Sequence, residues 1–340
     1  MECDYAFMTI AEGEHRPKYK LIAENIKRAV GQGKLVIGSQ LPSINQVCEL
    51  CKVSRDTAVK AYHLLEEEHL LRPVHGKGFF ICSEQVEVRE KIMLLFDSLA
   101  MFKETIFLEI SRQLADKYAI DIFFHHMNVA TAVMLLKQHG ANYDWIGMIP
   151  PEQKCSAEIR TVLDRMEDDG KRIFLLDFRM DGSNYPYAVQ NFCRGIYSAL
   201  EKDLSSVRKY KSLQLVCSES NYIIDDIKKG FTKFCRDYKL AGVVGQCPEK
   251  VSGDVLYIVI NDSDLGKLVK SAAAEKFSLG RDVGIISYND TPLKEIIGTG
   301  GISVVTTDFR QIGAAFVEFI LSGRSFQREI DTGIIRRYSF

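Results

Sequence analysis

Basic and hydroxyl side chains between residues 41 and 82 have the types and spacing of a surface that binds duplex DNA. Arg55 and Thr57 fall in the first turn of a predicted helix, on the side away from its apolar residues. A guanidinium and a hydroxyl in that position suit phosphates and base edges. Lys77 stands between Gly76 and Gly78, which allow a tight turn and would let its ammonium reach a phosphate or a minor groove. The pattern therefore favours contact with a nucleic acid.

Two short helices and an extended hairpin must hold these side chains. Ser43 is a predicted N-cap before an apolar run, and Ser54 is a predicted N-cap for the helix that carries Arg55. The inner face of that helix consists of Ala58, Ala61, Tyr62 and Leu65. An earlier helix over 19–30 has an apolar stripe at helical spacing, and 35–41 is a predicted strand that pairs with the hairpin. The arrangement predicted is a helix-turn-helix followed by a wing, an α+β domain.

The order and spacing of these segments from Pro17 to Ile81 resemble the winged helix-turn-helix of the gluconate-repressor (GntR) family of bacterial transcription regulators. The resemblance implies DNA contact at Ser43, Ser54, Arg55, Thr57, Gly76, Lys77 and Gly78. Where the family usually has an arginine, two residues after the serine of its Leu-Pro-Ser motif, this chain has Asn45. Asn45 can donate a hydrogen bond to a base or phosphate but brings no charge. We therefore expect operator affinity to depend more on Arg55, Lys60 and Lys77.

Each of these residues also has an ordinary structural interpretation. A serine before a helix is usually only a cap, and a single arginine is more often a solvated surface residue than a DNA ligand; the ordered set of caps, helix and wing favours DNA binding. Cys48 and Cys51 form a Cys-x-x-Cys pair, but no second pair follows at zinc-site spacing, so buried thiols are predicted. No metal or cofactor is expected.

Composition limits the class of protein. A chain of 340 residues predicts two or three domains, and no stretch approaches the roughly 20 apolar residues that a membrane span needs. The amino terminus lacks a signal-peptide pattern, and nine cysteines fit a reducing compartment, so a cytoplasmic location without a membrane partner is expected. Residues 13–82 contain 11 Lys and Arg against 7 Asp and Glu, a net charge of +4 in a chain whose total is −1. The predicted DNA-binding end is therefore the basic one.

The domain organisation follows from a change of pattern near residue 90. We predict a tail at 1–12, the winged helix-turn-helix at 13–82, a polar linker at 83–89 and an α/β domain at 90–340. In the last segment apolar strands alternate with helices, which indicates two parallel sheets with helices on both faces. Ligands of such sheets bind outside the carboxyl ends of the strands.

Polar residues follow several of these strands. The predicted ligand-binding residues are Ser98, Asp177, Arg179, Asn261, Asp262, Asn289 and Asp290, with Phe102 and Trp145 among the aromatic residues available to stack on a ring. Amides and carboxylates suit sugar hydroxyls because they accept or donate hydrogen bonds. Asn and Asp also form turns and helix caps at strand ends, and for any single residue the two interpretations stay equally weighted.

Residues from about Lys91 to Phe340, most clearly Asp254 to Gly323, resemble the effector domain of the lactose/galactose-repressor family and the periplasmic sugar-binding proteins. The resemblance implies two lobes, one from 90–188 and 305–322 and one from 189–304 and 323–340. It also implies that Asn261 and Asn289 hold ligand hydroxyls beside Asp262 and Asp290. Ile227 stands where the family has a ligand-binding arginine. Asn289 replaces a usual aspartate, which favours a neutral ligand.

These features predict a transcription regulator, a repressor of carbohydrate-utilisation genes, controlled by a neutral monosaccharide such as a pentose or deoxyhexose, for example arabinose or fucose. Both families imply a homodimer on a palindromic operator. A nucleoside or purine effector is the alternative within this class. An enzyme lacks sequence support, since neither a Gly-x-Ser-x-Gly elbow nor a phosphate loop is found. A non-regulatory sugar-binding protein would lack the basic helix and wing.

Overall fold

The architecture is described from a computed structural model of the chain. The structure describes residues 5–10, 17–83, 90–98, 100–152, 154, 156–218, 221–298 and 300–340. Most of the predicted linker, residues 84–89, lies outside this set, as do residues 1–4, 11 and 12 of the predicted tail.

The amino-terminal domain contains three helices and a two-stranded antiparallel hairpin. Its elements are α1 (Lys18–Gly31), α2 (Ile44–Cys51), α3 (Arg55–Glu67), β1 (Leu71–Val74) and β2 (Gly78–Ile81). Leu71 pairs with Ile81, and Val74 pairs with Gly78, so the predicted wing turns at the two glycines. Apolar residues of all three helices pack into one core, with Tyr62 at 1 % exposure. The predicted strand over 35–41 is reduced to one bridge, between Gln40 and Phe80.

Residues 5–10 belong to the amino-terminal domain, which corrects their prediction as part of a tail. Ala6–Met8 form a short 3-10 helix, and the Met8 side chain is fully buried in the core of the amino-terminal domain. The Cys51 thiol donates to the Met8 carbonyl oxygen at 3.2 Å, and the Tyr5 hydroxyl donates to the Gln40 carbonyl oxygen at 2.9 Å. These long-range contacts explain why a segment without a repeating pattern is nevertheless part of this domain.

Lobe 1 of the carboxyl-terminal domain is a six-stranded parallel sheet in the order β13-β7-β6-β5-β3-β4. The strands are β3 (Lys91–Phe96), β4 (Ala119–Phe124), β5 (Trp145–Met148), β6 (Arg172–Asp177), β7 (Tyr187–Gln190) and β13 (Gln327–Ile330). The helices are α4 (Met101–Leu114) and α12 (Phe309–Ser322) on one face, and α5 (Val129–His139) and α6 (Ala157–Asp168) on the other. Buried strand residues contact both helix layers, as the continuous apolar runs predict.

Lobe 2 repeats this plan with one antiparallel edge. Its sheet order is β14-β12-β11-β10-β8-β9. The strands are β8 (Ser212–Val216), β9 (Gly242–Gly245), β10 (Val255–Val259), β11 (Gly284–Tyr288), β12 (Ser303–Thr307) and β14 (Thr332–Ile335). The helices are α7 (Phe192–Lys202), α8 (Leu204–Val207), α9 (Tyr222–Asp237), α10 (Asp262–Ala274) and α11 (Pro292–Ile296). Only β14 runs antiparallel, against β12.

The chain passes between the lobes three times, and this corrects the predicted lobe boundaries. It leaves lobe 1 after Gln190, returns after Thr307 and leaves again between Ile330 and Thr332. The segment 327–330, predicted for lobe 2, pairs in parallel with β7 and belongs to lobe 1. Residues 305–307, predicted for lobe 1, lie in β12 of lobe 2. A single residue separates β13 from β14, so consecutive strands enter different sheets.

Candidate functional site

The first candidate site is the surface formed by α3 and the wing. Ser43 and Gln46 form a capping box at the start of α2: Gln46 donates its backbone N–H to the Ser43 hydroxyl, and Ser43 donates its own N–H to Gln46 Oε1 at 2.8 Å. Lys52 ends α2 in a left-handed conformation, with φ of 50°, which turns the chain towards α3. The Ser54 hydroxyl accepts the Thr57 N–H at 3.3 Å. Ser43 and Ser54 therefore fix the orientation of the two helices through their side chains.

The predicted DNA-contact side chains face outward on this scaffold. Thr57 is half-buried, and the other predicted contact residues are exposed: Ser43, Asn45, Ser54, Arg55, Lys60, Gly76, Lys77 and Gly78. Gly76 and Gly78 have φ of 72° and 103°, values that favour glycine at both ends of the wing turn. Gln40 Nε2 donates to the Lys77 carbonyl oxygen at 2.7 Å, which ties the tip of the wing to the body of the domain. The result is an exposed helix face that carries Arg55 and Lys60, beside a braced loop that carries Lys77.

The second candidate site lies at the carboxyl ends of the lobe 1 strands. The Lys103 ammonium on α4 forms a buried ion pair with the Asp97 carboxylate at the end of β3, and it donates to the Ser98 hydroxyl at 3.4 Å. Lys103 is 6 % exposed and Asp97 5 %. His125, at the end of β4, is fully buried, and burial lowers its pKa. On the lobe 1 side of the site, the charges of Lys103 and Asp97 therefore neutralise each other.

Asp177 is the central acceptor of this site. It ends β6 at 3 % exposure, with a left-handed φ of 69°, and accepts a hydrogen bond from Gln190 Nε2 at 2.5 Å. Burial raises the pKa of Asp177, while the nearby Lys103 and the Gln190 hydrogen bond oppose that rise. The carboxylate thus sits between a cation and the segment that connects the lobes.

Four buried polar atoms from lobe 2 lack a hydrogen-bond partner among the described residues. They are the hydroxyls of Tyr222, Ser287 and Tyr288 and the Oδ1 atom of Asn289. Burial raises the pKa of both tyrosines, and the negative charge of Asp177 adds to the rise. The Tyr222 ring packs on Phe178, the residue after Asp177, with ring centroids 5.1 Å apart, and neither tyrosine hydroxyl donates to Asp177. A ligand hydroxyl could accept from a tyrosine and donate to Asp177.

Several predicted ligand-binding residues have structural partners instead. Asp262 forms an ion pair with the buried Lys294 at 2.9 Å. Both oxygens of Asp290 accept from Arg337, each at 2.8 Å, and this hydrogen bonding raises the pKa of Arg337. The side chain of Asn261 accepts the Asp264 N–H at 2.8 Å and also donates to the Asp264 carboxylate at 2.9 Å. A helix cap or an ion pair therefore accounts for the hydrogen-bond partners of these three side chains.

The remaining predicted residues lie in three different places. Phe102 packs on Phe309 with ring centroids 4.9 Å apart, in a cleft of about 910 Å³ between α4 of lobe 1 and α11 and β14 of lobe 2. Arg179 is exposed and lines a smaller recess with Tyr222 and Asp226. Trp145 begins β5, at the opposite ends of the strands, and donates to Glu90 Oε2 at 2.9 Å; it is not placed to stack on a ligand in the cleft.

Residues that the sequence does not point to carry much of this site. Asp97 is not one of them, because it follows β3 beside Ser98 and is recognisable as a polar residue at a strand end. Lys103, Gln190 and Tyr222 gave no such signal, because their roles depend on contacts between separate elements. Ile227 is 1 % exposed in the core of lobe 2, so a contact from this position to a ligand is replaced by packing.

No group of three or more His, Cys, Asp or Glu suited to a metal ion occurs among the described residues. Within the same residues, no helix has the length and apolar character required to cross a membrane.

The amino-terminal and carboxyl-terminal domains are similar to different known proteins. Residues 18–81 match the model of the bacterial regulatory proteins, gntR family. The mannosyl-D-glycerate transport/metabolism system repressor MngR of Escherichia coli (strain K12) is 32 % identical over 72 residues, which make up 21 % of this chain and 30 % of that protein. The chain thus spans about three tenths of the curated relative that it matches.

Solved structures match a larger part of the chain. A LacI family transcriptional regulator from Enterococcus faecium with bound ribose has a TM-score of 0.57 at 15 % identity and covers 74 % of this chain and 98 % of its own. A periplasmic binding ribose operon repressor protein from Lactobacillus acidophilus has a TM-score of 0.56 at 18 % identity and covers 73 % and 97 %. At these identities the likeness shows the fold. Residues 18–81 are thus similar to the gntR family of bacterial regulatory proteins, and the carboxyl-terminal domain shares the two-lobed fold of these solved structures.

Proposed function

We propose that this protein is a transcription regulator whose DNA binding is controlled by a small neutral ligand held between the two lobes. One observation carries the proposal: a single chain joins a winged helix with an exposed basic face to a two-lobed domain with unpartnered buried hydroxyls around Asp177. It acts in the cytoplasm, as a repressor of sugar-utilisation genes that leaves its operator when the ligand binds.

DNA binding is assigned to α3 and the wing. Arg55 and Thr57 stand on the first turn of α3, where they reach base edges and phosphates in a major groove, and Lys77 contacts the flanking backbone. Lys60 and Asn45 extend this surface, and Ser43 and Ser54 set its shape through their caps. Half to two thirds of protein–DNA hydrogen bonds go to the backbone, so most of these contacts position the protein while Arg55 contributes sequence reading.

The ligand is assigned to the chemistry of hydroxyl groups. Asp177 accepts hydrogen bonds, while Tyr222 and Tyr288 can donate and accept. Each hydroxyl of a monosaccharide can satisfy both kinds of partner at once, and Asn289 in place of a carboxylate suits an uncharged ring. A purine is less well matched, because it needs parallel aromatic faces and the Tyr222 ring already packs edgewise on Phe178, with centroids 5.1 Å apart and planes at 62°. A pentose or deoxyhexose, such as arabinose or fucose, is therefore the first candidate.

A homodimer on a palindromic operator completes the proposal. Apolar side chains are exposed on α4 (Met101 and Leu108, at 50 % and 54 %) and on α11 (Leu293 and Ile296, at 62 % and 73 %). Exposed apolar groups of this size on two neighbouring elements favour burial against a second copy. Sedimentation of the full chain at micromolar concentration should give a dimer; a monomer would refute this part.

The proposed DNA binding is tested with a duplex that the full-length protein has selected from a pool of random sequences. Arg55→Ala should weaken binding to that duplex by tenfold or more, and Lys77→Ala should lower the salt slope of binding by about one. Lys137→Ala removes the same charge from α5 of lobe 1 and should leave affinity unchanged. Equal effects of Arg55→Ala and Lys137→Ala would mean that only overall charge matters, which would refute the assignment.

The ligand arm is tested by thermal shift with D-ribose, L-arabinose, L-fucose and inosine. A ligand at 100 times its dissociation constant stabilises a protein by about 2.7 kcal/mol, which corresponds to a rise of roughly 5–11 °C for a domain of about 250 residues. Asn289→Ala should abolish the shift and keep DNA binding, whereas Arg55→Ala should do the reverse. Loss of both activities in both variants would contradict two separable sites, and a shift with inosine alone would favour the nucleoside alternative.

A further inference from the structure

Each of the three connections between the lobes carries one buried polar side chain at its end. Gln190 is the last residue of β7, Thr307 the last of β12 and Thr332 the first of β14. Their exposed fractions are 5 %, 3 % and 5 %. Buried polar groups are costly unless they are hydrogen-bonded, so three of them at three connections require common partners.

The three side chains form one hydrogen-bonded chain that ends on Asp177. Gln190 Nε2 donates to Asp177 Oδ1 at 2.5 Å, and the Thr307 hydroxyl donates to Gln190 Oε1 at 3.0 Å. The Thr307 and Thr332 hydroxyl oxygens are 2.8 Å apart. Because Thr307 has one hydroxyl proton, and Gln190 Oε1 takes it, Thr332 must be the donor to Thr307. The donor direction therefore runs from Thr332 through Thr307 to the Gln190 carbonyl, and from the Gln190 amide to Asp177.

The far end of this network is packed against lobe 2. A Cβ atom added at Gly195 on α7 would lie 2.7 Å from the Thr332 hydroxyl oxygen and 2.9 Å from its Cβ. Such close packing leaves Thr332 no room to move towards α7 without moving that helix. The network that begins at Asp177 of lobe 1 thus ends against a helix of lobe 2.

We propose that Gln190 is a positioning residue that links Asp177 to all three interlobe connections, so that a ligand hydroxyl donating to Asp177 changes the preferred angle between the lobes. This inference rests on the proposed function for its role in ligand response. Gln190 does not contact the ligand in this account. Its amide donates to the Asp177 carboxylate, and its carbonyl accepts from Thr307, which in turn accepts from Thr332. No other side chain in the network contacts both Asp177 and Thr307.

The test uses hydrogen exchange of the full chain without DNA or ligand, followed by mass spectrometry. Gln190→Met keeps the size of the side chain and removes both hydrogen bonds. It should speed amide exchange by about tenfold at the two other connections, around residues 307–309 and 330–332, because Thr307 loses its acceptor and Thr332, which donates to Thr307, loses its link to Gln190. Gln113→Met, the same substitution on the exposed face of α4, should change neither segment.

A second pair of variants separates the hydroxyl from the packing. Thr307→Val removes the hydroxyl at constant shape and should reproduce the Gln190→Met exchange pattern, whereas Thr307→Ser keeps the hydroxyl and should stay close to the wild type. Faster exchange confined to β7, or a uniform increase over the whole chain, would overturn the proposal, since either would mean that Gln190 only packs.

The proposed role of Gln190 in ligand response is tested by measuring DNA affinity with and without a sugar. The sugar is whichever of D-ribose, L-arabinose or L-fucose raises the Tm of the wild type. Gln190→Met should retain the sugar's thermal shift but lose most of its effect on DNA affinity, which is 5–150-fold for typical coupled sites. An unchanged effect on affinity would overturn the link to ligand response. If no sugar shifts the wild type, the proposed function fails, while the exchange experiment still decides whether Gln190 links the three connections.

Discussion

Removal of the Lys103 ammonium should destabilise the carboxyl-terminal domain strongly. Lys103 and Asp97 form an ion pair at 6 % and 5 % exposure, so Lys103→Met leaves a carboxylate buried without its cation. Breaking a buried pair from one side costs about 3–5 kcal/mol. For a domain of roughly 250 residues, each kcal/mol lowers Tm by about 2–4 °C, which gives a fall of roughly 6–20 °C. Lys103 also lowers the pKa of Asp177, so its loss raises that pKa further.

The assay is differential scanning calorimetry at pH 7 on a double-mutant cycle. Asp97→Leu together with Lys103→Met should recover part of the loss, because Asp97 is then no longer a buried carboxylate without its cation, whereas Asp177 still loses the nearby ammonium. Lys117→Met, an exposed lysine just beyond α4, should stay within about 0.5 kcal/mol of the wild type. The reasoning is refuted if Lys103→Met is as stable as Lys117→Met, or if the double variant loses the sum of the two single losses.

Two further predictions concern packing and acid stability. Gly230→Ala places a Cβ against the Cys193 carbonyl oxygen, where α9 crosses α7, and should lower the free energy of urea unfolding by about 1–3 kcal/mol. In Gly266→Ala, on α10, the added Cβ meets nothing within 4 Å, so this variant should raise the free energy of unfolding by up to about 1 kcal/mol. A hydrogen bond from Lys267 holds the pKa of Asp264 below its usual value. A lowered folded-state pKa contributes stability that is present above the ordinary carboxyl pKa of about 3.9 and is lost as pH falls below it. Asp264→Asn should therefore flatten the fall of Tm between pH 5 and pH 3, and an unchanged pH profile would contradict this.

Local signals were sufficient to predict the winged helix-turn-helix. Ser43 and Ser54 cap the helices that they were predicted to cap, and the wing turns at Gly76 and Gly78. Caps and turns depend on residues within a few positions of each other, so their pattern is written in short stretches of sequence. The alternation of strands and helices in the carboxyl-terminal domain was predicted for the same reason.

Long-range contacts explain what the sequence did not reveal. Asp290 is paired with Arg337, 47 residues away, and Asp262 with Lys294, 32 residues away, so neither carboxylate could be recognised as an ion-pair member from its neighbours. The burial of Met8 depends on Cys51 and the helices around it. The strand β13 joins lobe 1 through β7, and no local pattern states which sheet a four-residue strand enters.

The interleaving of the lobes also sets the order in which the protein can be completed on the ribosome. Helix α12 covers one face of the lobe 1 sheet, with Phe316 and Phe319 on Phe174, yet it is synthesised after most of lobe 2. The part of that face that α12 covers therefore stays exposed to solvent while residues 191–307 emerge, since α4 covers only the rest, and the two lobes reach their final form together. We expect a nascent-chain complex stalled before residue 309 to bind chaperones that recognise apolar surface, and one in which a linker added after Phe340 carries the whole chain out of the ribosome to release them.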